Sequence, residues 1–499
     1  MFAPLTPQIF TRARWIFARV LGAIFFCAFA SLGVQIRGLA GENGITPAQK
    51  FLDAVWNQLG APALIEVPTL CWINAGDTML VTLCVVGALL SIVMICGRCP
   101  GLCTLLMWAL YLSLCWIATP FTNFQWDALL LETALPAALL LPWKWRADWV
   151  RWRPSQQAGL WLLWWLVFRL MFESGAVKLS AGDSNWWSLA ALDYHFETQP
   201  LPLWTSWYVN QIPDGILSMV TLIMFIIELG APFLIFAPGR WRHGGAWALI
   251  ALQLGILTTG NYTFFNWLTI ALCLLLFDDT AWPLRFLKRV KATESQPEPW
   301  SPLARLGLWS LIAMDISVTI IPLLSSPIPM RIWSPRPWFL SRWLAPSMSF
   351  NGYGLFRVMT TSRHEISVEG SDDGEHWHAY EFRWKPGDVN VRPGLVAPHQ
   401  PRLDWQMWFA ALSNLQDSPW FVNFLVRLLQ GSPEVLGLLK DNPFPDHPPR
   451  YLRAVVYDYH FTRYGDGHPG WWKRELLGLY CPPIRLQDGR PALVESAGK

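Results

Sequence analysis

The sequence predicts a polytopic all-α transmembrane bundle of about nine helices, followed by a β-rich mixed soluble C-terminal domain. Of its 499 residues, 53% are apolar and only 15% are charged, whereas an ordinary soluble domain carries about 25% charged residues. The charge is also unevenly placed. The chain has 38 basic and 35 acidic residues, and 33 of these 73 lie in positions 350–499. Apolar stretches near the length needed to cross a bilayer recur before that region.

Nine apolar stretches are predicted to span the membrane, of which the weakest are the acidic fourth stretch and the two short runs beside Gly260. They are residues 15–36, 78–96, 101–119, 126–143, 158–177, 215–237, 245–259, 262–277 and 303–324. The first lacks a small-residue cleavage site, so we interpret it as an uncleaved span. The predicted domains are a transmembrane domain over 1–325, a linker over 326–350, a β-rich domain over 351–485 and a loose tail over 486–499.

Basic residues between the spans indicate the orientation, because cationic loops stay on the cytoplasmic side. A cytoplasmic N-terminus leaves 13 basic residues on inside connections and three on outside ones. The three outside residues are Arg37, Lys50 and Lys178. Nine spans then place the loop 178–214 and the C-terminal domain on the exoplasmic side, which is the endoplasmic reticulum lumen in a eukaryote and the periplasm in a bacterium.

The C-terminal third combines strand and helix signals. Residues 365–384 predict a β-hairpin, because Ile366 and Val368 alternate with polar neighbours and the turn residues Ser371-Asp372-Asp373-Gly374 follow. The other predicted elements are a helix over 401–415, a second helix ending near residue 431, a short helix over 432–439 and a strand over 451–464.

Several function classes lack their sequence signals. With a net charge of +3 and no dense basic face, the chain is not expected to bind nucleic acid. It has neither the Gly-x-Ser-x-Gly turn of a lipase nor a phosphate-binding loop ending in Lys-Ser or Lys-Thr. No metal or other cofactor is predicted, and whether Cys71 and Cys481 pair stays open.

Four segments of the chain resemble the signature segments of lipase maturation factors. They are NWWSLAALDYHFETQPLP from Asn185, TGNYTFFNWLT from Thr259, NGYGLFRVMTTSRHEISVEGSDDGEHWHAYEF from Asn351 and APHQPRLDWQMWFAAL from Ala397. The resemblance implies a membrane protein whose exoplasmic domain helps an exported client, such as a lipase, to fold or assemble. The single glycosylation sequon, at Asn261, lies too near the membrane for ready modification. This fits a bacterial relative, for which the inner membrane is the expected location.

Ionisable residues in or beside the spans form a candidate intramembrane polar site, because charges in hydrocarbon usually face a protein interior or a cavity. They are Asp127, Glu132, Arg169, Glu173, Lys178 and Glu228. One interpretation is that they form buried ion pairs that fix helix packing. In the other, they form a substrate or proton site near Lys178. The layout of spans and carboxylates is also similar to that of the membrane protein group that includes the vitamin K-dependent γ-carboxylase.

Two further sets of residues are candidates for binding. Asp193, His195 and Glu197 would align on one face if their loop were extended, although hydrogen bonding is a commoner role for such residues than metal binding. Exposed aromatic residues suit a factor that recognises incompletely folded chains. The candidates are Trp377, Trp384, Trp405 and Trp408, and packing in the core is the alternative for each.

The leading functional hypothesis is a non-enzymatic, membrane-anchored maturation factor for secreted enzymes, with a lipase as the expected client. The alternative is a membrane-embedded enzyme that acts on a lipid or on an exported polypeptide. The two differ in what the intramembrane charges do, since only the enzyme needs them to reach a substrate.

Overall fold

The computed structural model describes residues 10–149, 152–282, 301–325 and 339–494. Its N-terminal region is mostly helical, and its C-terminal third carries an antiparallel sheet. The helices before residue 350 are α1 (Thr11–Gly33), α2 (Ile36–Ala40), α3 (Ala48–Leu59), α4 (Ala63–Glu66), α5 (Asp77–Ile95), α6 (Pro100–Ile117), α7 (Gln125–Leu140), α8 (Pro154–Ser180), α9 (Ser184–Trp187), α10 (Ala191–Thr198), α11 (Trp204–Val209), α12 (Asp214–Gly230), α13 (Arg240–Leu257), α14 (Phe265–Leu274), α15 (Pro302–Ser325) and α16 (Phe339–Leu344).

Five helical segments among the described residues are long and apolar enough to cross a membrane. They are α1, α5, α6, α8 and α12, the last continued by a 3₁₀ helix to Phe236. Each of the nine predicted spans overlaps a helix, but α7 has only 16 residues and α14 only 10. A helix of 10 residues is about 15 Å long, half the thickness of a hydrocarbon core. The predicted count of nine is therefore not confirmed.

Helices α1 and α5 approach closely because glycine removes side chains from their contact. A Cβ atom at Gly87 of α5 would lie 2.4 Å from the Phe29 ring of α1. One at Gly22 of α1 would lie 2.9 Å from the side chain of Ile95. Both distances are too short for a real Cβ, so the two helices require glycine at these positions.

The C-terminal elements form a five-stranded antiparallel sheet with the strand order β2-β1-β3-β4-β5. The strands are β1 (His364–Ser371), β2 (His378–Ala379), β3 (Tyr451–Phe461), β4 (Trp472–Gln487) and β5 (Arg490–Leu493), and the helices are α17 (Arg402–Ala411), α18 (Pro419–Leu429) and α19 (Pro433–Leu436). The predicted hairpin is confirmed by the pairing of β1 with β2. The second strand is shorter than predicted, because the Trp384 and Lys385 N–H groups donate to Asp404 of α17.

The end of the sheet departs from the predicted loose tail. Strand β4 runs to Gln487, and β5 pairs with it from Ile484 onward. Residues 495–499 lie outside the described residues. No strand was predicted at β4, whose sequence contains Pro482 and Pro483. The structure accommodates both prolines opposite the single residue Arg453, in a bulge that leaves the strand continuous.

Candidate functional site

A buried arginine of the C-terminal domain is held by residues of the helical region. Arg402 of α17 donates two hydrogen bonds to Asp127 of α7, at 2.9 and 3.0 Å. It also donates to the Tyr111 hydroxyl at 3.0 Å and to the Phe121 carbonyl at 2.7 Å. Tyr111 in turn donates to Asp127. Neither side chain of the ion pair is more than 1% exposed, and such buried charges require pairing. The pair therefore fixes α17 to the helices.

A second buried cluster holds the segment that leads into the C-terminal domain. Arg169 of α8 forms an ion pair with Glu132 of α7 and donates to the Asn351 carbonyl at 2.8 Å. Glu132 accepts from the Asn351 N–H at 3.0 Å and from the Tyr353 hydroxyl at 2.7 Å. Glu173 accepts from the Tyr353 N–H at 2.6 Å. Both carboxylates and Arg169 thus bind one short stretch of backbone.

The partners of α8 are on other elements rather than along the helix itself. The spacing of four residues would allow Arg169 to meet Glu173, but Arg169 pairs with Glu132 of α7. Lys178 follows Glu173 by five residues, which corresponds to about 500° of helical rotation. It therefore lies on a different face of α8 from Glu173. It pairs with Glu228 of α12, with both carboxylate oxygens 2.8 Å from its ammonium nitrogen. The six predicted intramembrane residues thus divide into three separate groups.

The loop residues Asp193, His195 and Glu197 do not converge on one point. They lie on helix α10 rather than on an extended segment, so residues two apart point in directions that differ by about 160°. Glu197 accepts from the Phe461 N–H at 2.8 Å, and its other oxygen is 2.9 Å from the His460 ring. Among the described residues, no group of three or more His, Cys, Asp or Glu side chains is placed to hold a metal ion.

His195 is a neutral hydrogen-bond donor to Tyr262. The amide nitrogen of Gln199 lies within hydrogen-bonding distance of two carbonyls and of the Ser206 hydroxyl. Its oxygen therefore faces Tyr262 and accepts from the Tyr262 hydroxyl at 2.9 Å. The same hydroxyl therefore accepts from His195 Nε2, 3.1 Å away. Burial and the Lys178 charge lower the pKa of His195 to about 4. In this tautomer Nδ1 is an acceptor, and it is buried without a hydrogen-bond partner.

Arg363 and Asn261 join the helical region to the domain, although the sequence did not single out either side chain for this role. Arg363 is 1% exposed, donates to the carbonyls of Glu197 and Pro200, and forms an ion pair with Glu365. Only its position in the third signature segment marked it. Asn261 was noticed as a sequon, yet it is 2% exposed.

The Asn261 side chain is occupied by hydrogen bonds within the protein. Its amide nitrogen donates to the Gly394 carbonyl at 2.9 Å, and its oxygen accepts from the Val396 N–H at 2.8 Å. An amide used on both sides cannot carry a glycan without losing these contacts. The burial of Asn261, in addition to its position near the helices, therefore opposes modification.

The predicted tryptophans differ in their exposure. Trp405 and Trp408 are 3% and 8% exposed, so neither lies on the open surface of the described structure. The Trp408 ring N–H donates to the Thr198 carbonyl at 2.9 Å. Trp384 is 39% exposed, and Trp377 is half-buried beneath the guanidinium of Arg453.

Asp404 is also buried, and so are Cys71 and Cys481, the two cysteines whose pairing the sequence left open. Burial raises the pKa of Asp404 to about 6, against the opposing effect of the N–H groups it accepts from. Cys71 and Cys481 are both free thiols. Burial raises the pKa of each to about 11, so neither is a reactive thiolate near neutral pH.

A cavity of about 520 Å³ lies between α8, α12, α13 and α14. Its lining is mostly apolar, and the Lys178–Glu228 ion pair and His195 are its most polar side chains. Gln253 and Asn266 also line it and are hydrogen-bonded to each other at 2.8 Å. Lys178 and Glu228, two of the predicted intramembrane residues, thus border this cavity.

The four signature segments contact one another where the C-terminal domain meets the helical region. The Trp186 ring N–H donates to the Phe356 carbonyl at 3.0 Å, which joins the first segment to the third. The Trp408 contact with Thr198 joins the first to the fourth. The second segment contributes Asn261, which binds the backbone at and just before the fourth. Residues far apart in sequence therefore form one continuous interface.

Comparison with known proteins covers both parts of the chain. The family model for the lipase maturation factor transmembrane domain matches residues 12–284, and that for the lipase maturation factor C-terminal domain matches residues 349–482. Lipase maturation factor 2 from Xenopus laevis is 34% identical, with 95% of this chain and 83% of that protein covered. Lipase maturation factor 1 from Bos taurus is 31% identical, with 98% and 91% covered. No solved structure matches the chain.

Proposed function

We propose a function from one premise: the chain belongs to the lipase maturation factor family. The protein is a membrane-anchored maturation factor that assists the folding or assembly of an exported enzyme, and a lipase is the expected client. The bundle anchors the C-terminal domain, and the domain contacts the client. Buried ion pairs from Asp127 and Glu132 support this division of roles, because they bind the domain itself and its lead-in segment.

The proposed orientation has a cytoplasmic N-terminus, about nine crossings and an exoplasmic C-terminal domain. In support, the domain contacts the helical region at connections that this topology assigns to the exoplasmic side. Phe121 and Pro200 accept from domain residues in two such connections. Gln35, at the exoplasmic end of the first predicted span, accepts from the Arg402 N–H. At the opposite ends of the helices, Arg12 donates to Asp279. The membrane is that of the endoplasmic reticulum in a eukaryote and the inner membrane in a bacterium.

The observation that carries client binding is the exposed outer edge of β4. Residues 473–480 pair with β3 on one side. On the other side no described strand pairs with them, since β5 contacts only Ile484–Gln487. Leu476, Leu477 and Leu479 are 58%, 53% and 58% exposed. An unpaired edge offers backbone hydrogen bonds to an extended segment of another chain, and leucines add apolar contact. This outer edge suits an incompletely folded polypeptide.

The experiment crosslinks the tagged protein in its native membrane together with a tagged lipase secreted by the same cell. Leu476→Lys combined with Leu479→Lys places two charges on the outer edge of β4. We expect recovered lipase to fall about tenfold, as two buried leucine contacts are lost. Leu395→Lys is the matched control, because Leu395 is 64% exposed in the same domain. If the unaltered protein, the double leucine variant and Leu395→Lys recover equal amounts of lipase, this edge is ruled out as the binding surface.

The enzyme alternative uses the intramembrane carboxylates and Lys178. It requires Lys178 as a free base, yet the ammonium group is paired with Glu228. The discriminating variants are Lys178→Ala and Glu173→Gln, each checked for intact assembly by size-exclusion chromatography. If both keep lipase secretion while the leucine variant loses it, the enzyme alternative fails. The reverse pattern would favour the enzyme.

A further inference from the structure

We propose that the cavity between α8, α12, α13 and α14 binds an acylglycerol with a free hydroxyl, a membrane lipid with a small uncharged head. One hydrocarbon chain fills the apolar cavity, and the head group donates hydrogen bonds at the polar end. The volume of about 520 Å³ lies in the range of ligand sites, about 300 to 1,000 Å³. This inference does not depend on the proposed function, since it concerns a different surface and needs no client.

The cavity opens where lipid would meet the protein. Val220 and Ile223 of α12 line it and are 44% and 46% exposed. On α13, the neighbours Ala251 and Leu252 line it, and Gly255 lines it four and three residues later, on the same helical face. Helix α12 is among the segments long and apolar enough to cross a membrane. A mouth with apolar, exposed walls in such a segment admits hydrocarbon more readily than water.

The charges at the polar end are already neutralised. Lys178 lies 2.8 Å from both carboxylate oxygens of Glu228, and both side chains are less than 10% exposed. An anionic head group would have to displace Glu228, and a cationic one would meet Lys178. Because removing one partner of a buried pair costs several kcal/mol, a neutral head group fits this end best.

Two residues that line the cavity, His195 and Asn266, each carry a buried acceptor without a partner. Nδ1 of His195 is an acceptor, because Nε2 donates to Tyr262. The amide nitrogen of Asn266 donates to Gln253, and its side-chain oxygen has no hydrogen-bond partner. A buried acceptor without a donor costs about 1 to 3 kcal/mol. Hydroxyl groups supply donors, whereas esters and ethers do not, so the ligand carries free hydroxyls.

The test uses the full-length protein in phosphatidylcholine nanodiscs with a monoacylglycerol that carries a photoactivatable diazirine in its chain. Mass spectrometry locates the label, which we expect on α12 and α13 residues that line the cavity. Unlabelled monoacylglycerol should compete about tenfold better than its dimethyl ether, which corresponds to one or two hydrogen bonds. The His195→Phe variant should keep the label but lose most of this preference.

A pair of glycine variants tests the location. A Cβ at Gly255 meets no atom within 4 Å, so Gly255→Trp projects into the mouth without an initial clash. Gly244 on the same helix is equally open but does not line the cavity. We expect Gly255→Trp to lose most of the label and Gly244→Trp to keep it. Equal labelling of the two variants, or equal competition by the ether, would overturn the proposal without affecting the test of client binding.

Discussion

Individual buried charges do different work on the two sides of helix α8. Arg169 and Glu173 hold Asn351 and Tyr353, at the entry to the C-terminal domain. Lys178, near the end of the same helix, binds Glu228 beside the cavity. Arg169, Glu173 and Lys178 therefore have different roles, although they lie on the same helix.

Breaking the Asp127–Arg402 pair should strongly destabilise the protein. We expect Arg402→Ala to lower the free energy of unfolding by about 3 to 5 kcal/mol, because it leaves a buried carboxylate unpaired. Denaturant unfolding in detergent measures this effect. In the double variant Asp127→Leu with Arg402→Met no charge remains, so most of the loss should be recovered. Lys473→Ala is the control, because its pair with Asp466 is partly exposed and worth about 1 kcal/mol or less.

The contact between α10 and β3 should weaken as pH rises. Partial burial lowers the pKa of His460, but the Glu197 and Asp458 carboxylates outweigh it and the pKa is raised. Such a histidine stabilises fully below its unfolded pKa of about 6.5, and the effect is lost as pH rises through the higher folded pKa. Hydrogen exchange of the Phe461 amide, which donates to Glu197, should therefore speed up relative to His460→Gln as pH rises above the unfolded pKa of about 6.5. Equal pH dependence in both proteins would contradict this.

The sequence identified the residues whose charge conflicts with an apolar surrounding. Asp127, Glu132 and Arg169 are conspicuous because hydrocarbon disfavours charge. Arg363 lies among polar neighbours, so nothing in its local sequence indicates that it is buried. Its partners Glu197 and Pro200 are more than 160 positions away, and only the folded chain brings them together.

At the scale of elements, helices were easier to predict than strands. Apolar length alone located α1, α5 and α8, because a membrane helix needs about 20 apolar residues. Strand β4 contains Gly478 and two prolines, which break the period of two on which strand prediction depends. It is held by pairing with β3, a partner that its own sequence does not specify. The spacing of Asp193, His195 and Glu197 likewise did not reveal that they lie on helix α10.

Residues 486–494 should contribute to stability, in contrast to a loose tail. Strand β5 pairs with the end of β4 from Ile484 to Gln487. A stop after Arg485 removes β5 and half of its partner segment, and we expect the melting temperature to fall by several degrees, as for a loss of about 1 to 2 kcal/mol. A stop after Val494 keeps all the described strands and serves as control. Equal melting temperatures would restore the loose-tail interpretation.

For the whole molecule, the helix ends form two groups of contacts. One group holds the C-terminal domain, through Gln35 and Phe121. The other joins Arg12 to Asp279 and Arg242 to Asp278. Basic residues accumulate in the second group, as expected for the connections proposed to be cytoplasmic. The charge count and the contacts are therefore both consistent with the proposed orientation.

This arrangement can be tested with a maleimide that does not cross membranes. Cys96 is exposed at the end of α5, on the side proposed as cytoplasmic, and Tyr464 is 87% exposed on the C-terminal domain. In sealed right-side-out vesicles, Tyr464→Cys should add a labelled site, whereas Cys96 should react only after permeabilisation. Cys71 and Cys481 should remain unlabelled, since burial raises the pKa of each thiol to about 11. Cys96→Ser is the matched control. Labelling of Cys96 in sealed vesicles would reverse the orientation, and it would place the outer edge of β4 in the cytoplasm, out of reach of any exported client.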